Sequence, residues 1–206
     1  MRATKRALRR GADVIEIDVV LVGGHLYGGH ERPLPVVGKR VFRGPRLDAV
    51  WKQAQRAEAI QLDLKQSSAG FVERLLAFLE DHPHANTIVS TPSMTVVRAF
   101  RRESPWVIRL LSVPNEQALA RLRGSPASIA EIDGVSIRQS ILTEDDATWL
   151  KTNRLLILAW VVNDARRLNE LVRFGIDAAI SDNLAMIELL GGHGRAETSL
   201  TTRRER

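Results

Sequence analysis

The chain has no cysteine. Disulfides and thiolate metal sites are therefore excluded, which suits a reducing compartment. Aromatic residues are scarce, with one Tyr, four Trp and five Phe among 206 residues. Proteins that stack nucleic-acid bases set aromatics among basic residues along a face or stripe, and no such interleaving occurs here. A long uninterrupted apolar run is also lacking. The apolar stretch that follows the basic N-terminus (Arg2, Lys5, Arg6, Arg9, Arg10) contains Glu16 and Asp18. It reads neither as a signal-peptide core nor as a membrane span. The formal net charge of +6 sits at the ends: residues 1–10 carry five positive charges, residues 192–206 carry four Arg and two Glu, and the body between is near neutral. Solvated ends and ordinary surface arginines account for that pattern, so no nucleic-acid partner and no transmembrane segment are expected. The expected compartment is the cytoplasm, and binding of nucleic acid or an acidic surface through the basic ends is the competing reading.

What is present is an alternation of strand-length apolar segments with amphipathic stretches. Val14–Leu21, Ile60–Lys65, Thr87–Ser90, Trp106–Leu111, Asp133–Ile137, Leu155–Val162 and Ala178–Ser181 read as seven strands. Between them, 47–56, 71–79, 94–102, 116–123, 144–151, 164–173 and 184–190 have helical spacing. Near-continuous apolar strands separated by helices predict a parallel sheet covered by helices, an α/β fold. The only hairpin signal is Gly23-Gly24 beside His25. Residues 191–206 lack periodicity and are expected to be a disordered tail.

Glu16 and Asp18 lie two apart on a strand and share a face, while Ile15, Ile17 and Val19 point the other way. Two carboxylates inside an apolar strand are unfavourable unless their charge is compensated. Asp63 and Lys65 repeat the arrangement on the next strand, between Leu62 and Leu64. Three carboxylates without a soft ligand suit Mg²⁺ or Ca²⁺. The competing account is a buried ion pair between Lys65 and one of the acids, which leaves the other two close together. His30, in the glycine-rich Gly28-Gly29-His30-Glu31 loop, is a candidate general acid or base. His25 reads as a turn residue, and His82, His84 and His193 receive no role. Trp160 alternates with Leu158 and Val162, and either packs in the core or forms an aromatic wall at a barrel mouth.

In this order the residues resemble the glycerophosphodiester phosphodiesterase family. Gly11-Ala12-Asp13-Val14-Ile15-Glu16-Ile17-Asp18-Val19 looks like its Gly-Ala-Asp-x-Ile-Glu-x-Asp-Val segment, and Gly29-His30-Glu31 like a catalytic histidine loop with Glu in place of Asp. Leu62-Asp63-Leu64-Lys65 is similar to its Glu-x-Lys strand. Trp160-Val161-Val162-Asn163-Asp164 resembles its Trp-Thr-Val-Asn segment, and Gly175-Ile176-Asp177 through Ser181-Asp182 its closing Gly-x-Asp…Thr-Asp.

The resemblance implies a TIM-type (β/α) barrel over residues 1–190, of a compact bacterial type with a short segment from Arg32 to Ala59. It implies metal-dependent hydrolysis of a small-molecule glycerophosphodiester or lysolipid. Glu16, Asp18 and Asp63 would hold the metal, Lys65 the substrate phosphate, and His30 would move a proton. The family's opening His-Arg-Gly strand has no counterpart, because Met1 falls inside the first helix. A complete (β/α)₈ barrel takes about 250 residues. The chain is therefore expected to start late and to lack one of two proton-transferring histidines, with activity reduced at least about 10²-fold. The alternatives are a non-catalytic barrel that binds phosphorylated ligands and a lysophospholipase D or sphingomyelinase D-like phosphodiesterase. The headgroup, the metal and the oligomeric state are not legible.

Overall fold

A computed structural model describes residues 2–30, 34–36, 39–41 and 44–193. Helix α1 (Arg2–Arg9) leads into strand β1 (Val14–Val22), which turns back through Gly23 and Gly24, both at positive φ, into β2 (His25–Gly28). Two glycines at positive φ are what a tight hairpin turn requires. A small hairpin of β3 (Leu34–Val36) and β4 (Lys39–Val41) precedes α2 (Leu47–Ala54). The chain then alternates through β5 (Ala59–Leu64), α3 (Ala69–Asp81), β6 (Thr87–Thr91), α4 (Met94–Glu103), β7 (Ile108–Val113), α5 (Glu116–Arg123) and α6 (Pro126–Ile129). It continues with β8 (Gly134–Arg138), α7 (Glu144–Thr152), β9 (Leu156–Trp160), α8 (Ala165–Phe174), β10 (Ala178–Ala179) and α9 (Leu184–His193).

The helices begin where side chains can cap them. Asn115, Thr143 and Asp164 accept from the first-turn N–H groups of α5, α7 and α8, and Thr143 and Asp146 form a reciprocal capping box. Gly175 ends α8 in the left-handed conformation, at φ 78°.

All seven expected strands are present, as β1 and β5 to β10. They pair in parallel in the order β1-β5-β6-β7-β8-β9-β10, and β2 adds to β1 in antiparallel sense. The sheet curls. Ala59, Ile88, Ile108, Leu110 and Leu158 form one buried cluster, with Val14 of β1 and Ala178 of β10 packed against it from opposite ends of the sheet. That is a barrel interior. Residues of opposite alternation, such as Ile15, Ile17, Leu62, Val135 and Ile157, face outward into two larger clusters under the helices. Each large aliphatic chain buried there stabilises the fold by about 1.5–3 kcal/mol. Gly134 is required where β8 meets β9, since a Cβ there would lie 2.4 Å from the Leu156 carbonyl oxygen.

Among the described residues, β10 does not pair with β1. α1 and α9 meet on that side, where Arg10 and Glu188 form an ion pair. Two expectations need correction. The strand expected at Trp106 begins at Ile108, because Pro105-Trp106 form a turn. The short segment between Arg32 and Ala59 holds the expected helix, as α2, together with a small hairpin. The last helix runs on through His193, so residues 191–193 of the expected tail are helical, and 194–206 lie outside the described residues. No helix among the described residues is long and apolar enough to cross a membrane.

Candidate active site

Register assembles the site. Glu16 of β1 stands beside Gln61 of β5, and Asp18 beside Asp63. Residues in register on parallel neighbours project to the same side, about 4.8 Å apart. Ile15 and Ile17, each 5% exposed, take the outer side. The acids therefore face the barrel interior near the carboxyl ends of the strands, where βα-barrel active sites lie.

Ligand oxygens of Glu16, Asp18 and Asp63 all lie within 4.8 Å of one another. Lys65, one pleat further along β5, places its Nζ 2.6 Å from Asp18 Oδ1 and is also paired with Asp63. The expected ion pair thus engages two acids rather than one, and it leaves Glu16 as the uncompensated member. Its carboxyl is pushed up to about 8, first by burial, then by the charges of Asp18 and Asp63, with Lys65 opposing. Burial also works against the charge on Lys65, but its hydrogen bonds to Asp18 and Asp63 and their charges hold its pKa above the ordinary value.

The donor set fits a hard divalent cation. Three oxygen donors converge, no sulfur or imidazole competes, and one acid is left without a cationic partner. Without an ion, Lys65 takes over part of that charge compensation.

The structure adds two residues that the sequence reading did not single out. Ser90 of β6 donates to Asp63 Oδ1 at 2.7 Å, and Gln61 Nε2 donates to Ser90 Oγ at 3.0 Å. A buried polar ladder therefore orients Asp63 from below. Gln61 Oε1 is buried without a hydrogen-bond partner among the described residues. The available signal was alternation: Gln61 lies two before Asp63, on the same face.

His30 is placed beside the site but not in it. The Gly29 N–H donates to the Asp18 carbonyl at 2.8 Å, which ties the start of the loop to β1 at the level of the acid. The His30 side chain is exposed, makes no hydrogen bond or ion pair among the described residues, and is not part of the carboxylate group. Glu31 lies outside the described residues.

Trp160 ends β9 half-buried on the interior side, one pleat above Leu158, with the Arg138 guanidinium 5.5 Å from its ring centre. It lines the mouth rather than the core. The expected alternation fails at Val162, which packs outward under the helices, because the regular strand stops at Trp160. Beyond the strand ends, Asn163 donates to Asp182 Oδ1 at 2.5 Å, and Ser181 donates to Asn163 at 2.7 Å, joining the loops after β9 and β10. His25 is exposed beside the hairpin turn, as expected. His82 stacks on Phe78 at 4.2 Å, and His84 meets Trp51 edge-on, so both have packing roles.

No family model and no curated protein matches the chain. Solved structures do. An Oleispira antarctica phosphodiesterase in complex with the product sn-glycerol-3-phosphate superimposes with a TM-score of 0.76 at 18% identity, covering 92% of this chain and 90% of that one. The two chains share one fold. A glycerophosphodiester phosphodiesterase from Agrobacterium tumefaciens gives 0.69 at 17% identity, over 91% and 90% of the two chains. One from Parabacteroides distasonis gives 0.71 at 18% identity, over 95% and 90%. The TIM-type architecture expected from the sequence is thereby shown.

Proposed function

We propose that this barrel hydrolyses phosphodiesters of the glycerophosphodiester class, using a divalent metal, Mg²⁺ or Ca²⁺, held by Glu16, Asp18 and Asp63. The observation that carries the reading is the acidic trio. It sits at the carboxyl end of a phosphodiesterase-type barrel, with Lys65 beside it and Glu16 in need of a cation. The ion would supply charge neutralisation at the phosphoryl oxygens and acidify a bound oxygen nucleophile.

The protein's own groups have definable tasks. Lys65 is a compact cation with three donors. Released in part from its two aspartates, it can bind a phosphoryl oxygen and stabilise the charge that develops there. Ser90 and Gln61 hold Asp63 in one orientation, so the acid wall does not rearrange when the substrate enters. His30, at the rim, can carry a proton to the departing alcohol oxygen once its side chain turns inward. Water, or a neighbouring hydroxyl of the substrate itself, supplies the attacking oxygen. The products of complete hydrolysis are an alcohol and a phosphomonoester. Trp160, half-buried at the end of β9, would line the mouth that receives the organic part of the substrate.

The test is release of alcohol from glycerophosphocholine and glycerophosphoinositol by purified full-length protein, with and without added Mg²⁺ or Ca²⁺. Metal-dependent turnover that disappears in Asp18→Asn is expected. Metal-independent turnover, or none with any diester, contradicts the reading. A second reading, a barrel that binds phosphorylated ligands without turning them over, draws on the outward position of His30. It predicts saturable binding of sn-glycerol-3-phosphate with no hydrolysis of the diesters.

A further inference from the structure

Opposite the acidic wall, the mouth carries an unusual pair. Arg138 and Trp160 are in register at the ends of β8 and β9. Val135 and Ile137 face outward under the helices, so Gly134, Ser136 and Arg138 face the interior. Arg138 is exposed, lies over the Trp160 ring, and has no carboxylate partner among the described residues. Directly beneath it, Ser136 is buried and in register with Ser112 of β7, whose Oγ is buried and has no hydrogen-bond partner among the described residues. The two serines and Gly134 keep this part of the wall shallow.

A Trp at a phosphodiesterase mouth would ordinarily suit a quaternary ammonium headgroup, which binds to the face of an indole. Here the guanidinium already occupies that face and repels a second cation. Arg138 has no carboxylate partner among the described residues, and its planar fork of donors matches a carboxylate or phosphate. β5 and β8 are three strand spacings apart, roughly 14 Å along the curved sheet. A substrate whose phosphodiester is held at Lys65 therefore reaches Arg138 only through one of its alcohol halves.

Building on the phosphodiesterase reading, we propose that Arg138, Trp160, Ser112 and Ser136 form a headgroup subsite selecting diesters whose alcohol half carries its own anion, a phosphate or a carboxylate, and disfavouring cationic headgroups. Arg138 binds the anion, and the small Ser112 and Ser136 side chains leave room beneath it for the alcohol half of the substrate.

The test compares kcat/KM of full-length protein for glycerophosphoinositol 4-phosphate, glycerophosphoserine, glycerophosphoinositol and glycerophosphocholine at one metal concentration. The expected order places the inositol phosphate at least about 10-fold above its unphosphorylated partner, with choline lowest; this is the discrimination that one good charge-assisted contact gives. The serine diester, whose carboxylate comes with an ammonium group, separates carboxylate from phosphate recognition. Arg138→Gln is expected to bring the ratio of inositol phosphate to inositol within about twofold, and Arg138→Lys to restore part of it. Turnover of all four without charge preference, or a preference that survives Arg138→Gln, overturns the subsite and leaves the phosphodiesterase reading standing. If none is turned over, the enzymatic reading fails. Calorimetric titration with glycerophosphoinositol 4-phosphate then decides the subsite: binding lost in Arg138→Gln supports it, and binding equal to that of the choline diester removes it.

Discussion

The two walls of the barrel mouth are built on opposite principles. The β1–β5 wall concentrates carboxylates: Lys65 pairs with Asp18 and Asp63, Ser90 donates to Asp63, and Glu16 is left to burial and like charge. The β8–β9 wall is shallow and carries no acid, with small residues below and one arginine–tryptophan pair at the rim. Close packing holds this second wall. The first is held in a strained electrostatic balance that a cation would relieve. Under the proposed function, the chemistry falls where the fold tolerates unfavourable charge, and the opposite wall is left to shape what the substrate carries.

The sharpest way to break the comparison is Asp63→Ala. This change removes a carboxylate of the trio together with one of the two partners each of Ser90 and Lys65, and activity should fall at least about 10³-fold. Circular dichroism should show the barrel still folded. On the other wall, Gly134→Ala should act through packing alone. The added Cβ meets the Leu156 backbone at 2.4 Å, so a loss of about 3 kcal/mol in urea unfolding is expected, with no change in metal affinity of the folded fraction.

Glu16 gives a pH signature that the opposite wall, which has no acid, lacks. Its folded-state value of about 8 lies above the ordinary 4.5, so the folded protein holds this proton more tightly than the unfolded chain does. The resulting stability is fully present below pH 4.5 and is lost as the pH rises through about 8. Glu16→Gln mimics the protonated form. In the absence of metal it should match the wild type in acid and melt at higher temperature at pH 9. The smallest effect belongs to Ser90→Ala. It removes one hydrogen bond to Asp63 and leaves the Gln61 amide unpaired, for about 1–2 kcal/mol of stability. Metal affinity should weaken about 10-fold.

Much of the fold was legible because parallel strands buried on both faces read as short apolar runs, and all seven were found that way. The hairpin strand β2 was not, since His25-Leu26-Tyr27-Gly28 has neither length nor a clear period, and only the paired glycines pointed to it. β3 and β4, three residues each, are below the length at which alternation can be read. In the site, two-residue spacing put Glu16 with Asp18 and Asp63 with Lys65 on shared faces. Register, which only folding sets, put the two pairs together. That Lys65 pairs with both aspartates, that Ser90 props Asp63, and that Arg138 covers Trp160 all depend on contacts between strands distant in sequence. A one-dimensional pattern holds no trace of them.

The central claim is that Glu16, Asp18 and Asp63 form one cation site. Isothermal titration of the metal-free protein with Ca²⁺ and Mg²⁺ at pH 6 and pH 9, in buffers of different ionisation enthalpy, tests it directly. The predicted result is one ion per chain, bound more tightly at pH 9. About one proton should be released at pH 6, as the ion displaces it from Glu16, and the binding should be lost in Asp63→Asn. No saturable binding at millimolar metal, or binding that Asp63→Asn leaves intact, would contradict the account.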